Sequence, residues 1–319
     1  MSTVFLPINN GANGTLNLNG GTFSSTEVTS GNAGGTGALN FNGGTLVAGA
    51  STANFLHDIT SANVLDGGAV IDSGTNVISV AQPLLDGGGA GGLTKIGNGT
   101  LYLNGANTYT GPTLVNVGTL GGTGTIAGPV TVAGGATLAP GASIGTLTVN
   151  NSVTLGGTTA MEISKDGGVI ASDLLAVSGN VAFGGTLTVV LTGTNALAFN
   201  DTFNLFDWGA RSGSFVATSL PAGYLWDTSQ LNVNGTVRVI GVRPPKVNPP
   251  TVAGGNLVLT GVGGPAGSSY TWLTSTNVAA PLANWTTNTS GVFDGSGGFS
   301  NAFPINASER VRLFRLKTP

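Results

Sequence analysis

The stretch Gly92–Leu120 reads GLTKIGNGTLYLNGANTYTGPTLVNVGTL. Two short runs in it alternate apolar and polar residues, Thr100-Leu101-Tyr102-Leu103 and Thr113-Leu114-Val115-Asn116-Val117. A polar turn, Asn104-Gly105-Ala106-Asn107-Thr108-Tyr109-Thr110-Gly111, separates them. Short alternating runs bounded by Gly and Asn mark half-buried strands. The flanks repeat the pattern in looser form. Gly14-Thr15-Leu16-Asn17-Leu18-Asn19-Gly20-Gly21 is echoed 23 residues later by Gly37-Ala38-Leu39-Asn40-Phe41-Asn42-Gly43-Gly44. A fixed offset in the range of about 20–50 residues is the mark of a solenoid. In each copy two alternate apolar side chains take one face and Asn and Thr take the other. Gly-Gly then supplies the corner, where positive φ is needed.

The same stretch resembles the autotransporter-associated β-strand repeat. The matching features are Leu93-Thr94-Lys95, Gly97-Asn98-Gly99-Thr100-Leu101, Leu103 through Gly111, Thr113, Val115-Asn116 and Gly118-Thr119-Leu120, about a tenth of the chain. The resemblance implies a right-handed parallel β-helix, exported and displayed outside a bacterial cell. Such repeats also occur in large surface proteins that lack the autotransporter barrel.

Composition supports a packed chain. Gly is 55 of 319 residues, but 40% of residues are hydrophobic and mean hydropathy is +0.28, which argues against disorder. Only 7% are charged, against about 25% in ordinary domains. The polar surface must therefore be Thr, Asn, Ser and Gly, which suits stacked strands because like charges in register would repel. Net charge is −3, unevenly placed. The chain is acidic up to Val237 and basic from Arg238 onward. An acidic body argues against a nucleic-acid partner, which needs a basic face. There is no Cys, so no disulfide and no thiolate metal site. No apolar run reaches the ~18 residues that would span a membrane. Met1–Pro7 has no basic n-region and too short an apolar run for a signal peptide. The chain is expected to be a piece of a longer exported protein.

The expected architecture is all-β, a parallel β-helix with an aromatic-rich cap and a small terminal β module. Residues 1–198 form the repeat region, at ~20 residues per rung about ten rungs and a rod of roughly 50 Å. A single rung buries too little to offset its ordering entropy, so stacking supplies the stability, and the ends need caps to hide open edges. Residues 199–241 are the expected cap. They hold seven aromatics, Phe199, Phe203, Phe206, Trp208, Phe215, Tyr224 and Trp226, as many as the preceding 198 residues. They also resemble the segment that closes such repeat arrays. Four prolines make 242–252 a semi-rigid linker. In 253–319 strands are expected over 256–260, 270–273, 298–300 and 311–316. Trp272–Asn277, Pro281–Trp285 and the closing Leu313-Phe314-Arg315-Leu316 resemble a short all-β tail at the ends of exported bacterial proteins.

No catalytic, cofactor-binding or metal-ligating residue is assigned. His57 is the sole histidine, so a Ser/His/Asp triad would have to use it. Asp58, next to it, would point to the opposite face of a strand, and His57 reads as a surface or corner residue. Gly87–Gly92 formally fits GxGxxG, but it runs into Leu93-Thr94-Lys95-Ile96-Gly97 rather than into a helix start. Gly67-Gly68-Ala69-Val70-Ile71-Asp72 is similar to a calcium-binding nonapeptide but has Val70 where Gly belongs and does not recur.

The primary expectation is an exported structural or adhesive rod without catalysis. One alternative is a carbohydrate-binding protein that stacks sugars on Trp208 or Trp226. Another is a polysaccharide-degrading β-helix, for which Asp66 and Asp86, twenty residues apart, would stack on adjacent rungs, with Asp58 and Asp72 nearby. The partner this leaves open is a cell-surface or extracellular polysaccharide, with no nucleic acid and no membrane-spanning segment. Nothing in the chain reads as the series of amphipathic strands of an autotransporter barrel, so secretion would be encoded elsewhere or use another route.

Overall fold

The computed structural model describes residues 2–6, 11–30 and 35–318. The signal-peptide reading of Met1–Pro7 falls partly outside this set, at residues 1 and 7. From Thr3 to Ser219 the chain winds as a parallel β-helix. Its first sheet stacks Thr3–Phe5, Glu27–Thr29, Thr52–Leu56, Val77–Val80, Thr100–Leu103, Gly118–Gly122, Ala136–Pro140, Thr158–Asp166, Thr186–Leu191 and Ala217–Ser219 in chain order. A second sheet stacks Asn13–Leu18, Thr36–Phe41, Ser61–Val64 and Leu84–Asp86. A third begins with Thr22–Ser25, Thr45–Ala48, Ala69–Asp72 and Leu93–Ile96. It continues through Thr113–Val115, Val130–Val132 and Val153–Leu155. Leu174–Phe183 then joins both columns, pairing with Thr146–Val149 through its first half and with Val153–Leu155 through its second.

Registers obey the repeated phrase. Leu16 lies against Leu39 and Leu18 against Phe41. The spacing then varies along the rod, with Val77 opposite Thr100, Thr100 opposite Thr119 and Thr119 opposite Thr137. The register shifts at two places, between Ile78 and Val80 against Thr52–Leu56 and between Val177 and Asn180 against Phe206–Gly213. One core runs through the rod, from Leu18 and Val28 through Leu101, Leu103 and Leu120 to Leu187 and Val189.

The parallel ladder continues beyond residue 198. Phe206–Gly213 adds in parallel to Leu174–Phe183, and Ala217–Ser219 adds to Thr186–Leu191. Aromatic rings close this end: Phe183 lies edge-on to Phe206 and Trp208, at 5.2 and 5.5 Å between centroids, and against Phe215 at 5.0 Å. Over it sits an antiparallel sheet of Thr202–Asn204, Thr236–Val242 and Tyr224–Asp227. Phe203, Leu205, Val237 and Val239 are buried beneath, while Phe199 stays exposed.

The proline-rich segment contributes strands. Lys246–Val247 and Thr251–Ala253 both pair with Asn256–Val262, which also pairs with Phe299–Pro304. The second sheet of the terminal module is Thr286–Val292, Ser269–Ser275 and Leu313–Lys317. Its core of Leu259, Tyr270, Trp272, Phe293, Phe299 and Phe303 is separate from the rod's core. Thr286–Val292 was not expected from sequence: it reads TTNTSGV and is largely exposed, so it carries no apolar alternation. Among the described residues no helix is long and apolar enough to cross a membrane.

Candidate functional site

Several polar residues of 92–120 face inward among the aliphatic ones, while Asn98, Asn104 and Asn116 face out. Leu93, Lys95, Leu101, Leu103, Asn107, Tyr109, Thr113 and Val115 are all buried. The Lys95 side chain points into the rod as Leu93 does, since alternate residues share a face. There its Nζ donates to the carbonyls of Ile96 at 3.0 Å, Gly97 at 2.7 Å and Val117 at 3.2 Å. Val117 belongs to the next rung, so the ammonium ties two corners together. Burial pulls its pKa down to about 8, opposed by the charge of Asp72. Gly118 passes directly over this group at φ 70°, and a Cβ there would lie 2.8 Å from Nζ.

Asn107 replaces a missing stretch of ladder. Its Oδ1 accepts the Leu84 amide from the rung below, and its Nδ2 donates to the carbonyls of Gly105 and Thr125, all at 3.0 Å. The Tyr109 hydroxyl meets Thr113 Oγ1 at 2.6 Å, and burial raises its pKa. These polar side chains supply hydrogen bonds where the backbone turns corners, which buried peptide groups require.

The outer faces carry neutral ladders. Asn40 Nδ2 donates to Asn17 Oδ1 at 2.8 Å, and Asn63 Nδ2 donates to Asn40 Oδ1 at 2.9 Å. On the first sheet Thr100, Thr119, Thr137, Thr158 and Thr186 stand in one row. Such rows recur at the strand spacing of about 4.8 Å.

His57 lies at a corner just past Thr52–Leu56. Its Nε2 is 2.6 Å from Glu27 Oε1 and its Nδ1 is 2.8 Å from Asp58 Oδ2. Asp58 does not point away, because the chain leaves the strand there: φ of 50° folds its carboxylate back onto the ring. Burial lowers the imidazole pKa, but the hydrogen bonds and charges of Glu27 and Asp58 outweigh it, and the net direction is upward.

Asp66 and Asp86 do not stand opposite each other. The local register is 22 residues, placing Asp86 against Val64. Their carboxylates bind backbone amides of nearby corners, Asp66 that of Ala90 at 3.0 Å and Asp86 that of Gly88 at 2.9 Å. Asp72 does the same for Gly74 at 2.8 Å. Gly87–Gly92 forms a corner that runs into the strand Leu93–Ile96, so it lacks the helix N-terminus that a dinucleotide fingerprint needs. Among the described residues, no three His, Asp or Glu side chains converge in a way that could hold a metal ion. Of the two candidate tryptophans, Trp208 packs on Phe183 at the rod's end. Trp226 instead lines a cavity of about 410 Å³ where the cap meets Arg243 and Gly263.

Residues 93–121 match the passenger-associated-transport-repeat family. The chain carries an autotransporter passenger repeat. That repeat coincides with the rung whose interior is tied by Lys95, Asn107 and Tyr109. The chain is also 36% identical over 117 residues to the Adhesin BmaC autotransporter of Brucella suis biovar 1 (strain 1330). This match covers 34% of the chain and 3% of that adhesin, so the chain spans a small fraction of the length of the curated relative it matches.

Proposed function

We propose that this chain is a section of an exported, surface-displayed rod that adheres to other surfaces and performs no chemistry of its own. One observation carries the reading: four of the repeat's polar side chains are consumed inside the rod, and those left outside, such as Asn98, Asn104 and Asn116, form no acidic or basic cluster. Lys95, Asn107, Tyr109 and Thr113 join rungs and present nothing to solvent. What the rod offers outward is rows of Asn and Thr in regular register. Such faces suit weak contacts repeated many times, whose effect multiplies when they act together. The similarity to an adhesin and to a passenger repeat supports display at the cell surface.

The test is retention of beads coated with the purified chain on polysaccharide-rich matrix under flow. Retention that rises steeply with coating density, and survives single substitutions such as Asn40→Ala, is the expected result. Beads that wash off like uncoated ones at every density would refute the adhesive reading.

A second reading has an observation of its own. Trp226 borders an open cavity, a place where a saccharide could stack on the cap.

A further inference from the structure

Between the last parallel strand, Ala217–Ser219, and the cap strand Tyr224–Asp227, the chain makes a sharp turn over 220–223. The turn leans on the terminal module. Gly223 has φ 83°, and a Cβ there would collide with the Gly264 carbonyl, so only glycine allows this approach. Tyr224 Oη fixes the junction by donating to the Ala266 carbonyl at 3.1 Å and accepting the Leu197 amide at 3.1 Å.

The cavity of about 410 Å³ opens beside this junction. Trp226 lines it, together with Pro221, Thr218, Thr228 and Arg243. The indole N–H donates to the Pro221 carbonyl at 3.1 Å, which fixes the ring's orientation. Tyr224 and Phe203 pack against the same ring, each 6.2 Å away between centroids. Arg243 is held through its backbone, its amide donating to the Gly223 carbonyl at 2.8 Å. Among the described residues no carboxylate pairs with its guanidinium, whereas the neighbouring Arg238 is taken by Asp227 at 2.9 Å. A fixed tryptophan, two threonines and an arginine without a carboxylate partner thus line one concave site.

We infer that this cavity binds a carboxylated saccharide, with its ring on Trp226 and its carboxylate on Arg243. An aromatic face complements the C–H face of a sugar, and guanidinium is the side chain suited to two-point binding of a carboxylate. The volume falls in the range of small-ligand sites, about 300–1,000 Å³. Charge agrees locally: Arg243 is the one charged residue that lines the cavity. The proposal rests on the adhesive reading and names a ligand class for it.

The experiment is calorimetric titration of the intact 319-residue chain with trigalacturonic acid, and with maltotriose as a neutral trisaccharide. Saturable binding of the acidic sugar is expected, with the neutral one at least about tenfold weaker. Arg243 is exposed, so Arg243→Gln should leave the melting temperature unchanged and weaken trigalacturonate by about tenfold or more. Trp226→Phe keeps a ring in place and should weaken both sugars. Absence of saturable binding, equal affinity for the two sugars, or undiminished affinity in Arg243→Gln would each overturn the site. Retention of coated beads with no trigalacturonate binding overturns the site alone. Trigalacturonate binding by a chain whose beads wash off supports the site and counts against the adhesive reading alone.

Discussion

The Nδ2 of Asn107 donates to the carbonyl of Thr125 at 3.0 Å, one rung above, while its Oδ1 takes the amide of Leu84 one rung below. One buried side chain therefore spans three turns of the solenoid. Asn107→Ala would orphan the Leu84 amide and remove a donor from the Thr125 carbonyl, while the Gly105 carbonyl keeps the Thr125 amide at 3.1 Å. Each buried group left unsatisfied costs about 1–3 kcal/mol. Chemical denaturation should show a loss of about 2 kcal/mol or more, with the midpoint falling well below that of a surface control such as Asn40→Ala.

Lys95 gives a prediction with a sign. Lys95→Met keeps the volume but removes three hydrogen bonds to carbonyls, so at pH 7 it should lose about 1–3 kcal/mol. The folded pKa of about 8 lies below the ordinary lysine value. From about pH 8 to about 10.4 the unfolded chain then binds more protons than the folded one, and stability rises with pH. The methionine variant lacks this gain. Denaturation at pH 7 and pH 10 should show the gap between the two proteins widening, and a constant gap would contradict the buried ammonium.

The Glu27–His57–Asp58 corner titrates in the other direction. The folded pKa of His57 is raised above its ordinary value of about 6.5. Its contribution is therefore complete below about pH 6.5 and declines as pH climbs through the folded value. Glu27 and His57 lie on adjacent rungs, so the effect should be felt near the rod's start. His57→Gln is expected to be less stable than the parent at pH 5.5 and closer to it at pH 9. An imidazole titration midpoint at or below about 6.5, monitored by NMR, would refute the pairing.

Tyr224 links rod, cap and terminal module through one hydroxyl. Tyr224→Phe leaves the Leu197 amide and the Ala266 carbonyl without that partner, at a residue that is 2% exposed. The expected readout is faster amide exchange around Leu197 and Ala266, with protection at Leu101 and Leu120 in the middle of the rod unchanged. Uniform loss of protection along the chain would mean that the junction and the rod unfold as one unit.

The fold was legible because its period is written in residues that repeat at a fixed offset. Gly14–Gly21 and Gly37–Gly44 predict the pairing of Leu16 with Leu39 that the structure shows. Less was legible inside the rung. Lys95, Asn107, Tyr109 and Thr113 look like solvent-facing residues by type, yet they share odd-numbered parity with the buried Leu93, Leu101, Leu103 and Val115. Parity was the available signal, and residue type obscured it. A solenoid corner has no ladder of its own, so its backbone needs polar side chains from within. The Asp66 and Asp86 placement failed for a different reason: it assumed about 20 residues per turn where the local register is 22. Arg243 could not be found from sequence, because only the fold brings it beside Trp226.

The most direct test of an inert, adhesive rod is to incubate the purified chain with a panel of acidic and neutral polysaccharides, then measure both polymer length and polymer-bound protein. Protein that co-sediments with a polysaccharide whose chain length stays unchanged is the expected result. Shortened polymer, abolished by Asp66→Ala or Asp86→Ala, would contradict it and make this rod an enzyme.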